Sequence, residues 1–325
     1  MDKKIAPWLI AAILVCNVLY AEEGPPRARL AASASVKSRR EGGGRDGKPR
    51  AMWVWDVKIP ASGESSRALV EFCKSRNIGL LYLSAFNFND KFKQSYRSFN
   101  ALAHKNNIKV HALAGDPRWC IERYHKQPMQ WVRNVLEFND ASRPEERFDG
   151  IHSDAEPYVL GKVWDDNKQM LLKWYLDLNQ KVMDALDAEE AEIVFGADIP
   201  FWYDDDVSML VEWHGTVKPP SYHMLDTVNT ITIMDYRNFA DGPNGSIALA
   251  RFEIEYADKM GKKVYIGQET QKDVYPEYIT FGQLDEDIME KEIRKLINAY
   301  IGHPSFAGIA IHHYDSYKEL VEKGK

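Results

Sequence analysis

From residue 51 to its C-terminus, the chain repeats one unit: a short apolar run followed by a helical or loop segment. No other feature restricts the fold as strongly. The runs fall at 52–56, 79–86, 109–115, 148–156, 192–199, 229–236, 263–269 and 306–314. Most are near-continuous in apolar residues and rich in β-branched or aromatic side chains, the pattern of parallel strands covered on both faces. Helical periodicity lies between them. Residues 65–76 align Leu69, Phe72 and Cys73; 168–186 align Leu171, Tyr175, Leu178, Val182 and Leu186; 284–300 align Ile293, Leu296, Ile297 and Tyr300. The stretch from 199 to 229, with Pro219 and Pro220, reads as a long loop with a short helix. Eight such units predict a single-domain α/β fold, a (β/α)8 TIM barrel over residues 51–325. The rival, an open doubly wound sheet, needs a glycine-rich first turn. Here the first strand runs into Trp55, Asp56, Val57 and Lys58.

The first 50 residues have a different character. Met1 to Lys4 is a short basic head, residues 5–19 are mostly apolar, and Ala21 precedes Glu22 and Glu23. This is the layout of a signal peptide over residues 1–21, which predicts a secreted or periplasmic protein. Pro7 and Asn17 interrupt the apolar run, which is short for a bilayer span, so no membrane association is expected beyond the signal. A lipoprotein acylated at Cys16 is the weaker reading, because Val15 is bulky for the residue before a lipid-modified cysteine. Residues 22–50, rich in Gly, Arg, Ser, Ala and Pro, lack hydrophobic periodicity and read as a flexible low-complexity linker.

Charge narrows the partners. The chain carries a formal −6, with +5 in its first 50 residues and therefore −11 in the remainder. An acidic body repels phosphate backbones, so nucleic acid is not an expected partner. Aromatic residues reach 12%, including nine Trp, which suits either sugar stacking or core packing. Once Cys16 leaves with a signal, Cys73 and Cys120 remain, either as a disulfide or as two buried thiols.

A barrel keeps its chemistry at the C-terminal ends of its strands, and those ends are polar here. They supply Trp53, Trp55, His111, His152, Asp154, Glu156, Asp198, Asp235, Tyr236, Gln268, Glu269 and His312, with Trp202 just beyond the fifth strand. The fourth strand is the most informative. Side chains alternate along a strand, so His152, Asp154 and Glu156 share a face. Two carboxyls so close resist ionising together, which raises the pKa of one. A carboxylic acid kept protonated near neutral pH is what a glycosidase needs as its general acid. The competing reading is a rim salt bridge from Glu156 to Arg118, Arg237 or a lysine.

The run Asp149-Gly-Ile-His-Ser-Asp-Ala-Glu156 resembles the DGxDxDxE signature on the fourth strand of family 18 glycoside hydrolases, the chitinases and endo-β-N-acetylglucosaminidases. Met234-Asp-Tyr236 resembles that family's M-x-Y on the sixth strand. Ala112 to Gly115 echoes its S-x-G-G on the third, and Phe306 to His312 resembles its last strand. The resemblance implies a glycan substrate, an oligosaccharide or polysaccharide containing N-acetylhexosamine, and no cofactor. It implies Glu156 as general acid/base, Asp154 as the residue that orients and stabilises a 2-acetamido group acting as nucleophile, and Tyr236 as the holder of the acetamido oxygen. The sequence departs from the family at His152 for Asp, Ala155 for an aromatic, Ala112 for Ser, and His312 for the Trp that floors the sugar pocket.

Other readings stay open. Glu156 and Glu269, at the ends of the fourth and seventh strands, are placed like the acid/base and nucleophile of a retaining glycosidase that needs no acetamido group; Ala155 stands where such enzymes carry Asn. Asp235 is a further carboxyl candidate. Trp53, Trp55, His111, His152, Asp198, Trp202, Gln268 and His312 are candidate sugar-binding residues. A divalent metal held by His111, His152, Asp154, Asp198 and His312 is the non-glycosidase enzyme reading. Against it, the first strand offers Trp53 and Trp55 where barrel metallohydrolases carry His-x-His, so no metal is expected. A catalytically weak carbohydrate-binding barrel is the non-enzymatic alternative, motivated by the departures.

Overall fold

A computed structural model describes residues 47–204 and 207–323. The expected signal peptide and all but the last residues of the expected linker lie outside the described residues. The eight apolar runs form eight parallel strands: β1 (Arg50–Val54), β2 (Ile78–Ser84), β3 (Lys109–Ala114), β4 (Gly150–Ser153), β5 (Val194–Pro200), β6 (Thr230–Met234), β7 (Lys263–Glu269) and β8 (Phe306–His312). Each pairs with its neighbour in sequence, and β8 returns to β1 to close the barrel. The (β/α)8 expectation is borne out.

The differences are local. The barrel begins at Arg50, inside the expected linker. Arg50 pairs with Ile78, and its guanidinium forks onto both carboxylate oxygens of Glu290 at 2.7 and 2.6 Å. A planar five-donor group matched to a carboxylate gives this residue a fixed place that composition alone does not announce. Between β5 and β6 the chain forms a small antiparallel hairpin, Val211–Trp213 with Thr216–Lys218, that the sequence reading leaves as loop. The expected short helix follows at Pro220–Thr227, with proline at its first turn where a missing N–H costs nothing. Cys73 and Cys120 are both free and buried, so the disulfide alternative is not realised. Among the described residues no helix is long and apolar enough to cross a membrane.

Two cores follow from strand alternation. Outward side chains such as Met52, Leu81, Val110 and Ile151 pack against the helices. Inward ones, Ala51, Trp53, Leu80, Tyr82, Leu113 and Ala310, form a separate cluster inside the barrel. The interior holds large rings because glycines stand beside them. A Cβ on Gly150 would lie 2.5 Å from the His111 ring, and one on Gly196 would lie 3.0 Å from Nδ1 of His152. Gly115 has the sharpest requirement. There the backbone of Asp154 crosses the end of β3, its N–H donating to the Ala114 carbonyl at 3.0 Å, and a Cβ on Gly115 would sit 1.8 Å from the Asp154 carbonyl oxygen. Gly115→Ala is therefore expected to destabilise the protein by about 1–3 kcal/mol or more through overpacking, while Gly302→Ala, whose Cβ meets nothing within 4 Å, stays near wild type. Chemical denaturation of the two variants checks this.

Candidate active site

The inward register of β4 continues past its last hydrogen-bonded residue and carries His152, Asp154 and Glu156 up to the barrel mouth. His152 and Asp198, on adjacent strands, are both completely buried, with Nε2 of the ring 2.7 Å from Oδ1 of the carboxyl. Trp53 on β1 donates its indole N–H to the other oxygen, Oδ2, at 3.1 Å. Thr232 on β6 supplies a further side-chain hydrogen bond to Asp198 and shares its hydroxyl with Tyr82 at 3.0 Å. Tyr82 in turn stacks on the His152 imidazole, with centroids 3.7 Å apart and planes at 15°. Above this buried group, Asp154 hydrogen-bonds to Asp198. Glu156 follows at the mouth and accepts a hydrogen bond from the Tyr158 hydroxyl on Oε1. Asp154 and Glu156 are half-buried and open to solvent, whereas Asp198 is not.

Three carboxyls in one apolar well cannot all carry charge. Desolvation and the neighbouring Asp198 push Asp154 well above the ordinary aspartate range. Desolvation and Asp154 do the same to Glu156, against the Tyr158 hydrogen bond. Asp198 is raised to about 8 by burial, against the hydrogen bond from Trp53 and the nearby His312. The same burial lowers His152 to about 3 and keeps it neutral. Asp154 and Glu156 therefore hold protons well above the pH at which free carboxyls lose them. Asp154 and Glu156 both carry raised pKa values at the end of β4, with Asp198 as the third carboxyl of the group.

The opposite wall is organised differently. Glu269 on β7 faces inward and is completely buried; its Oε1 accepts the backbone N–H groups of Thr270 and Gln271 at 2.8 and 2.7 Å. Its Oε2 accepts from Nδ1 of His312 at 2.9 Å, and Nε2 of that ring accepts the Trp55 indole N–H at 3.1 Å. Burial opposes ionisation of Glu269, but His312, then His313 and the Gln271 amide, outweigh it and hold the carboxyl below its ordinary value. Tyr236 sits between the two walls. Its φ of 37° turns it inward from the end of β6, a conformation uncommon for a residue with a side chain. Gly267 lies beside the ring, but what it accommodates is backbone: a Cβ there would lie 2.8 Å from the Ile233 carbonyl oxygen and 3.4 Å from Tyr236. Its ring lies 5.9 Å from His312, and burial followed by the charges of Glu269, Asp198, Asp154 and Glu156 raises its phenol well above 10.

The other candidates separate by geometry. Trp55 is half-buried at the mouth and free to present a face, but Trp53 is only 1% exposed and acts as the donor that fixes Asp198. His111 lies one layer deeper, lowered to about 3 by burial and packed over Gly150. Trp202, also 1% exposed, packs edge-on against Tyr158, Trp164 and Tyr203 outside the barrel. Gln268 and Asp235 alternate outward: Gln268 reaches Ser246 at 3.4 Å, and Asp235 lies near Tyr300 in the helix layer. Arg118 forks onto Asp116 and Arg237 onto Asn244, in place of a rim salt bridge to Glu156. Among the described residues no three His, Cys, Asp or Glu side chains are grouped to hold a metal ion. His111 lies a layer too deep and His312 is turned to Glu269, so the five residues of the metal reading are not gathered into one group. Tyr158, Tyr82 and Thr232 were missed by the sequence reading. Alternation would have placed Thr232 on the Tyr236 face, and Pro157 starts the 3-10 turn that brings Tyr158 back to Glu156.

No protein-family model matches the chain, and no curated protein matches it. Solved structures do. The spore cortex-lytic enzyme SleL of Bacillus cereus aligns over 100% of this chain and 85% of its own, at 11% identity and a TM-score of 0.50. SleL of Bacillus megaterium aligns over 87% and 75%, at 12% identity and a TM-score of 0.50. A chitinase from Bacteroides thetaiotaomicron aligns over 84% and 93%, at 12% identity and a TM-score of 0.49. The likeness is one of fold. This chain shares the barrel of the two SleL enzymes, as the resemblance to family 18 leads one to expect.

A carboxyl with a raised folded pKa stabilises the fold while protonated. That contribution is complete below its unfolded value, near pH 4, and is lost as the pH rises through the folded value. The melting temperature of wild type minus that of Asp198→Asn is therefore expected to fall steadily from pH 4 to pH 8. A difference independent of pH across that range would show that Asp198 is not protonated in the folded protein at acidic pH.

Proposed function

We propose that the protein is a glycoside hydrolase of the family 18 kind, acting outside the cytoplasm on a glycan that contains N-acetylhexosamine. The observation that supports the reading is the pair of half-buried carboxyls, Asp154 and Glu156, both with raised pKa values at the end of β4, with Tyr236 turned inward from the end of β6. Glu156, kept protonated by its surroundings, gives its proton to the leaving oxygen and later takes one from water. Asp154 stabilises the positive charge that develops when the substrate's own 2-acetamido oxygen closes on the anomeric carbon, and Tyr236 holds that acetamido group. Trp55 offers an apolar face to a pyranose ring at the mouth.

Glu269 is a poor alternative nucleophile. It is fully buried, its oxygens already accept from two amides and His312, and a nucleophile must reach the anomeric carbon. Its charge instead supports His312 and, through that ring, Trp55.

The reading is tested with aryl glycosides of N-acetylglucosamine and of chitobiose, alongside matched glycosides lacking the acetamido group. Glu156→Gln is expected to lower kcat/KM by about a thousand-fold on substrates with poor leaving groups. Asp154→Asn should cost roughly a hundred- to a thousand-fold in kcat, and Glu269→Gln less than about ten-fold. Equal turnover of the substrates without an acetamido group, or a fluorosugar ester trapped on Glu269, would overturn substrate assistance.

A further inference from the structure

The loop after β7 shapes a cavity that the chemistry proposed above leaves unused. Its volume is about 580 Å³, and its lining includes Asn238, Tyr275, Glu277, Tyr278, Thr280 and Gln283. The loop is held in one shape. Asn238 donates its backbone N–H to the Tyr278 carbonyl at 2.8 Å, and its side-chain amide to the carbonyls of Glu277 and Thr280, each at 3.0 Å. Thr280 donates its hydroxyl to the Gln271 carbonyl at 2.7 Å, and Phe281 its N–H to the Glu269 carbonyl at 2.9 Å. These bonds tie the cavity to the rim of the mouth, because Asn238 follows closely on Tyr236 and Glu269 ends β7. The Arg237 guanidinium lies 5.4 Å from the Tyr278 ring and 4.7 Å from that of Phe201, which fixes this tyrosine against the end of β5.

The lining has the chemistry of a sugar site. Tyr275 is 55% exposed and pairs with no other ring among the described residues, so its face is open to an apolar C–H surface. Pro276 and Leu284 continue the apolar side, while Glu277, Gln283 and the two tyrosine hydroxyls supply donors and acceptors. No Lys, Arg or His side chain is in the lining. Arg237 and Lys323 lie beside it, but Arg237 is engaged with Asn244 at 3.1 Å and Lys323 with the Gln283 carbonyl at 3.1 Å. An anionic ligand would meet Glu277 and no counter-charge. Resting on the glycosidase reading, we propose that this cavity binds an uncharged sugar unit of the same glycan, remote from the bond that is cleaved, with Tyr275 as its stacking platform. Substrate length then counts, because binding energy gained away from the reacting sugar can be used at the reacting centre. A glycan seated both here, on the β6–β7 side, and on Trp55, on the β1 side, crosses the mouth instead of ending in it.

The test separates binding from turnover. Binding of chitobiose and chitohexaose to the full-length Glu156→Gln protein is measured by titration calorimetry, alone and combined with Tyr275→Ala or Gln283→Ala. Both of these side chains are exposed, so neither substitution removes core packing. The hexamer is expected to bind at least about ten-fold more tightly than the dimer. Tyr275→Ala should remove most of that gain and Gln283→Ala part of it. In the otherwise wild-type enzyme, Tyr275→Ala is expected to lower the ratio of kcat/KM for the hexamer to that for the 4-methylumbelliferyl glycoside of chitobiose by about ten-fold. A hyaluronan hexasaccharide, which carries a carboxylate on every second sugar, should show no binding that depends on Tyr275. Equal affinity for dimer and hexamer, a gain that neither substitution touches, or Tyr275-dependent binding of the hyaluronan fragment would overturn the inference. If the hexamer binds through Tyr275 but wild type cleaves neither substrate, the cavity assignment stands and the glycosidase reading is what fails.

Discussion

The hydrogen bond between Asp198 and His152, inside the closed barrel, is the constraint around which the site is arranged. Burying an unpaired carboxylate costs several kcal/mol, so a chain that puts one at zero solvent exposure must surround it with donors or keep it protonated. This chain does both. Trp53, His152 and Thr232 reach Asp198 from β1, β4 and β6, and Asp154 closes its open side. The interior accommodates these rings because Gly150 and Gly196 stand beside His111 and His152. Packing and electrostatics here are one problem. The ring that fills the barrel is also the group that orients the carboxyl.

The two walls of the mouth then differ in charge for a physical reason. On the β4–β5 side, carboxyls face each other in an apolar setting and share protons. On the β7–β8 side, Glu269 has two backbone amides and an imidazole, so it ionises and His312 is drawn toward the charged form against its burial. Carboxyls with raised pKa values and a carboxyl with a lowered one thus stand on different walls of the mouth.

Much of this was legible in the sequence. Eight apolar runs with helical spacers gave a closed barrel, and two-residue alternation put His152, Asp154 and Glu156 on one face. Other parts were not. Alternation could not say which face of β7 turns inward, so Glu269 and Gln268 were both candidates; the register with β8, which sets Gly267 beside the inward Ala310 and Glu269 beside His312, decides it. Asp198 and Trp53 read as sugar contacts because strand-end polarity does not report depth, and depth follows from barrel closure, which brings β1 and β5 to the same layer. Trp202 follows the same rule: it lies beyond a strand end, but a turn at Phe201–Asp204 folds it outward onto Tyr158. The hairpin between β5 and β6 was hidden because its three-residue strands are too short for periodicity to register.

The central claim is that Asp154, Glu156 and Tyr236 form one pocket that receives an acetamido sugar. The most direct test is a crystal structure of the protein with a thiazoline derived from N-acetylglucosamine, the stable mimic of the cyclised intermediate. The account predicts the thiazoline nitrogen within about 3 Å of an Asp154 oxygen, the Tyr236 hydroxyl on the opposite side of that ring, and Glu156 beside the anomeric carbon. A thiazoline bound away from these three residues, or seated against Glu269 with Asp154 still turned down to Asp198 and out of contact, would contradict it.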